Sequence, residues 1–116
     1  MPKPPATPRS PFAARLKQAR ALRGIDSQRA LGVAMGLDKK LASSRINRYE
    51  SEARGIDLDG LGKLAETLGL PMAYLVAPDE HVAEAIHALS KLTPEDRAQV
   101  VRVLVHYAKK RAPGEK

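Results

Sequence analysis

Apolar residues recur every three or four positions along most of this chain, and glycine, proline and capping residues cut the recurrence into short helical segments. A first helix is expected to begin near Pro11, turn Phe12, Leu16 and Ala19 inward, and end at Gly24. Asp26 or Ser27 then caps a second helix with Ala30, Leu31, Ala34 and Met35 on its inner side, closed by Gly36. The stripe Ala42, Ile46, Tyr49, Ala53 predicts a third helix over roughly Ala42 to Glu52, with Leu41 left in the connecting loop and Gly55 ending the element. Asp57 caps a fourth, whose core face is Leu58, Leu61, Leu64, Ala65 and Leu68 before Gly69. Its interior glycines, Gly60 and Gly62, weaken its intrinsic propensity, so packing must hold it. Met72 to Val76 reads as a short fifth helix.

A second region opens at Pro78-Asp79. Val82, Ala85, Ile86 and Leu89 outline an amphipathic helix ending near Lys91. Thr93-Pro94-Glu95-Asp96 combines a capping threonine, a first-turn proline and acids at the positive end of the helix dipole. The β-branched run Val100 to Val105 would suit a strand equally well, and this start signal decides for helix. The expected fold is therefore all-α. A disordered proline-rich basic arm (1–11) should precede a helical domain (12–78), a C-terminal helical region (79–112) and a disordered tail (113–116).

Charge sharpens this picture. Net charge is +7 and the sequence pI about 10.0, a bias toward phosphate or another anionic surface. Residues 12–54 hold ten Lys/Arg against four acids, whereas from residue 80 onward there are seven against five. The excess thus lies on the segment carrying the second and third helices. The third turns Ile46 and Tyr49 inward; with those buried, positions 44, 47, 48 and 51 point most nearly away from the core. A short helix with Ser, Asn and Arg on its outer side, crossed by a partner helix, suits reading base edges in the major groove of double-stranded DNA.

The order of these residues resembles the Cro/C1-type (XRE) family of lambda-repressor-like helix-turn-helix transcriptional regulators. The match runs through Leu16, Arg20 and Gly24, then Ser27-Gln28, Leu31, Met35-Gly36-Leu37, Ile46 and Arg48-Tyr49-Glu50. It continues through Leu58, Leu61, Lys63-Leu64-Ala65, Leu68-Gly69 and Leu75. It spans roughly residues 12–76. The stretch between Leu37 and Ile46 is longer than the family usually places there, and adds Lys39 and Lys40. The resemblance implies a five-helix DNA-binding domain, here followed by two further helices. It implies that Gln28 bonds a phosphate or braces the start of the third helix, and that Ser43, Ser44, Asn47 and Arg48 face the groove. Arg45 would flank toward phosphate, and Arg20 and Glu50 would form a structural ion pair. Beside what the resemblance implies, Arg29 and, in the longer turn, Lys39 and Lys40 are expected to add to the DNA-binding surface, where a flexible ammonium suits phosphate attraction.

The expected function is sequence-specific regulation of transcription, as a dimeric repressor acting by occupancy and needing no cofactor. Val100, Val101, Leu104, Val105, Tyr107 and Ala108 supply more apolar surface than one small neighbouring helix can cover, and are the expected dimerisation residues. Lys3 and Arg9 on the N-terminal arm could follow the phosphate backbone. An alternative of another class is an antitoxin-type component that binds a partner protein through residues 79–112 and autoregulates its operon.

Other chemistries find little support. There is no cysteine, so disulfides and thiolate metal sites are excluded, which suits a reducing compartment. His81, His87 and His106 lack metal-ligand spacing and read as solvated surface residues. Ser43-Ser44 has no nucleophile elbow, no glycine-rich phosphate loop is present, and an enzyme is not expected. No apolar run approaches membrane-spanning length and the N-terminus lacks a signal-peptide core, so a cytoplasmic location is expected.

Overall fold

A computed structural model of the chain describes residues 11–51 and 55–111. Its elements are α1 (Phe12–Arg23), α2 (Gln28–Ala34), α3 (Lys39–Glu50), α4 (Leu58–Leu68), a 3-10 helix (Met72–Val76), α5 (Glu80–Ser90) and α6 (Pro94–Arg111). The described residues are all-helical, as expected, and the run Val100 to Val105 lies inside α6. The N-terminal arm with Lys3 and Arg9, the C-terminal tail, and the calls on Glu52 and Ala53 fall outside the described residues.

Local chemistry sets the boundaries. Gly24 and Gly69 end α1 and α4 in the left-handed region, at φ 68° and 66°, where a side chain would be strained. Ser27, Asp57 and Asp79 each accept a backbone N–H three residues on (2.9, 2.7 and 2.9 Å), and Thr93 does the same for Asp96 (3.1 Å).

The core gathers Phe12, Leu16 and Ala19 of α1, Leu31 of α2 with Met35 just after it, and Ile46 and Tyr49 of α3. Leu61, Leu64, Ala65 and Leu68 of α4 join it, with Tyr74 and Leu75 of the 3-10 helix. Each fully buried leucine contributes roughly 1.5–3 kcal/mol of hydrophobic stabilisation. Phe12 meets Tyr49 edge-on at 5.8 Å between ring centroids, tying α1 to α3. Tyr49 is thus a core residue.

Several inward assignments fail. Ala30 and Ala34 are exposed; the buried face of α2 is Leu31 and Gly32. Leu58, the first residue of α4, is 75% exposed because it precedes the turn that meets the core. On α5 the buried residue is Ala83, with Ile86 half-buried beside it, whereas Val82 and Ala85 face outward. The predicted stripe was thus rotated by part of a turn. Ala83 belongs to the same core as α1 to α4. His87 is not simply solvated: it is half-buried and packs edge-on against Tyr74 at 6.3 Å. Desolvation, aided by Lys91 and Arg23, lowers its pKa below the usual histidine value.

Arg23 donates from Nε to the Leu68 carbonyl (2.7 Å) and from Nη2 to that of Gly69 (2.9 Å), satisfying the C-terminus of α4. Arg15 is buried, with Nε and Nη1 lacking hydrogen-bond partners among the described residues.

Candidate nucleic-acid interface

The helical pair α2–α3 is built around a backbone approach. Gly32 faces Ala42 so closely that a Cβ on Gly32 would lie 2.6 Å from the Ala42 Cβ and 2.7 Å from its Cα and carbonyl oxygen. Gly36, at φ 91°, turns the chain out of α2. Asp38 then caps α3, accepting the Lys40 N–H at 2.9 Å.

This cap moves the start of α3. The helix begins at Lys39, three residues before the expected Ala42, so Leu41 is helical and Lys39 and Lys40 lie in its first turn, not in the connecting loop. The apolar stripe could not reveal this, because the added turn carries no buried residue before Ala42. Asp38 was the available signal.

With Ala42, Ile46, Tyr49 and Glu50 buried, helical spacing sets the outer face of α3. Lys40, Ser44, Asn47 and Ser51 follow one another at steps of four, three and four, and all are exposed. Leu41 and Arg48 lie along one side of this row and Ser43 along the other; Arg45 is half-buried at the flank. The hydroxyls of Ser44 and Ser51 donate back to the carbonyls of Leu41 (3.2 Å) and Arg48 (3.3 Å). Arg29 of α2 and Lys39 of α3 share a shallow depression with Ser27, Ala30, Val33 and Ala34, so two cations flank the N-terminal end of the row. The arrangement is an exposed polar helix face bordered by positive charge.

Beneath that face a polar network fixes α3 to α1 and α2. Glu50 is buried, its side chain 2% exposed, and takes a two-point contact from Arg20: Nε to Oε2 at 2.6 Å and Nη2 to Oε1 at 3.0 Å. Arg20 Nη1 also donates to the carbonyls of Ile25 and Asp26, both at 3.2 Å. The hydrogen bond to Glu50 raises the Arg20 pKa. The geometry matches the ion pair implied by the resemblance.

Gln28 completes the network. Its Nε2 donates to Glu50 Oε1 at 2.9 Å and to Asn47 Oδ1 at 3.4 Å. Gln28 therefore braces the C-terminal half of α3, not its start. The second contact engages the Asn47 amide through its oxygen. Sequence reasoning missed Gly32 and Asp38, which set the spacing and length of the pair, and Leu41, which stands 54% exposed among the polar residues.

Among the described residues α6 has no buried residue. Arg97 bonds back to the carbonyls of Leu89 and Leu92, both at 3.0 Å, and so fixes the turn between α5 and α6. Val100, Val101, Leu104, Val105, Tyr107 and Ala108 are all exposed on the single chain. No helix among the described residues is long and apolar enough to cross a membrane.

The chain is similar to a solved structure, the crystal structure of the transcriptional regulator BswR. The TM-score is 0.72 and the sequences are 37% identical, over 86% of this chain and 98% of that one. No family model matches the chain, and no curated protein matches it.

Proposed function

The chain belongs to the family of the transcriptional regulator BswR, and on that footing we propose that it is a Cro/C1-type repressor that reads duplex DNA with α3. The observation that carries this reading is the exposed row Lys40, Ser44, Asn47, Ser51, set on a helix whose flank is pinned by the buried Arg20–Glu50 pair. A rigid helix with an amide and hydroxyls facing out can present bidentate donors and acceptors to base edges. Asn47 and Arg48 are the reading residues, Arg29 and Lys39 hold phosphate, and Arg45 steadies the flank. Lys40, now in line with Ser44 and Asn47, joins the reading row. Repression then follows from occupancy, and no cofactor is required.

The active species is a homodimer assembled through α6. At 100° per residue, the apolar side chains of α6 run from Val103 through Tyr107, Val100, Leu104, Ala108 and Val101 to Val105, an arc of roughly 200°. One partner helix covers about half of that, so α6 packs against both α5 and α6 of a second copy. Residues 80–91 thus contribute to the interface beside α6.

The test is selection of bound fragments from random duplex DNA, with the full chain and with a chain ending at Leu92. The shorter chain keeps Ala83 in the core. The full chain should be dimeric by light scattering and should enrich an inverted repeat with half-sites about 34 Å apart. The shorter chain should be monomeric and retain only weak half-site binding. A dimer surviving truncation contradicts the α6 interface, and a selection without sequence preference contradicts the regulator reading. Stoichiometric co-purification of a second polypeptide held by residues 79–112 would instead favour the antitoxin-type role.

A further inference from the structure

Leu41 stands out on the outer side of α3. It is 54% exposed, in a face otherwise made of Lys40, Ser44, Asn47, Arg48 and Ser51. As the third residue of α3 it is held in regular helix by the Asp38 cap, and its carbonyl accepts the Ser44 hydroxyl at 3.2 Å. Helical spacing puts its side chain beside Ser44, three residues on, and Arg48, seven on. It is neither part of the core nor packed against it.

A recognition helix contacts base edges with its N-terminal residues. Among the features displayed in the major groove, the 5-methyl group of thymine is the apolar one; amides, hydroxyls and guanidinium groups gain little from it. We propose that Leu41 is a specificity-determining residue that reads a thymine methyl, at a base pair next to those met by Ser44 and Arg48. The proposal rests on α3 being the reading helix. It also gives a function to the added first turn of α3, which brings an apolar side chain to the leading end of a polar row.

The test uses the full chain and its selected operator, with each thymine replaced in turn by uracil, which deletes the methyl and leaves the base pair otherwise intact. The wild-type chain should lose about fourfold in affinity at one thymine of each half-site, the worth of one buried methylene. Leu41→Ala should bind the thymine operator correspondingly more weakly and show no penalty at that uracil. Its binding to a non-operator duplex, equal to wild type, reports that the fold is intact. A flat uracil scan of the wild-type chain overturns the proposal, as does a Leu41→Ala variant that keeps the full penalty. Either result leaves DNA reading by α3 standing. A chain that selects no preferred duplex removes that reading and the Leu41 assignment together.

Discussion

Glu50→Ala is expected to lower stability by about 3–5 kcal/mol, the usual cost of removing one partner from a buried ion pair. The change deletes the acceptor of both Arg20 contacts and of the Gln28 amide. Arg20, whose side chain is only 17% exposed, would keep its charge and two carbonyl contacts but no carboxylate. Thermal melting should show the loss as a fall of more than 12 °C, taking about 4–8 °C per kcal/mol for a domain of this size. Glu50→Gln, which retains an acceptor of the same shape, should cost less. A loss below about 0.5 kcal/mol for Glu50→Ala, typical of surface sites, would mean that the pair does not hold α3 in place.

Gly32→Ala is expected to cost about 1–3 kcal/mol by overpacking, although alanine is intrinsically the better helix former by roughly 1 kcal/mol. The sign is set by what the new methyl meets. Two of its three nearest atoms, the Cα and carbonyl oxygen of Ala42, are backbone, so α2 and α3 must separate. Separation also moves the row from Lys40 to Ser51 relative to Arg29, so operator affinity should fall more than stability alone accounts for. Adding Ala42→Gly removes the 2.6 Å contact but not the two at 2.7 Å, and should restore stability only in part. Denaturant unfolding of the single and double variants, alongside operator binding, checks this. A Gly32→Ala chain as stable as wild type would contradict the close crossing.

The pattern of the sequence carried the helix order, because the buried positions of α1, α3 and α4 repeat at helical spacing and their ends are marked by Gly24, Asp57 and Gly69. It also carried the outward direction of Ser44, Asn47, Arg48 and Ser51, since Ile46 and Tyr49 fix the phase of α3. The start of α3 was not legible from periodicity. Its first turn has no apolar residue turned to the core, and only the cap at Asp38 marks it. Likewise, the inner face of α2 depends on a glycine, which hydrophobic patterning ignores. Ala30 and Ala34 took its place in the reading because small apolar residues satisfy a stripe without having to be buried. The role of Gln28 turned on a tertiary contact to Glu50 and Asn47 across 22 and 19 residues, which spacing alone does not encode.

The central claim is that the outer row of α3 distinguishes bases while its flanking cations hold the backbone. It is tested most directly by measuring Asn47→Ala, Arg29→Ala and Lys39→Ala against a panel of single-base changes in the selected operator. Asn47→Ala should lose about 1–3 kcal/mol on the preferred site and relax preference at one or two base positions. Arg29→Ala and Lys39→Ala should weaken every sequence about equally and reduce the salt slope by about one unit each. If Asn47→Ala instead lowers affinity uniformly and leaves the base preferences intact, the row from Lys40 to Ser51 is not the surface that reads DNA.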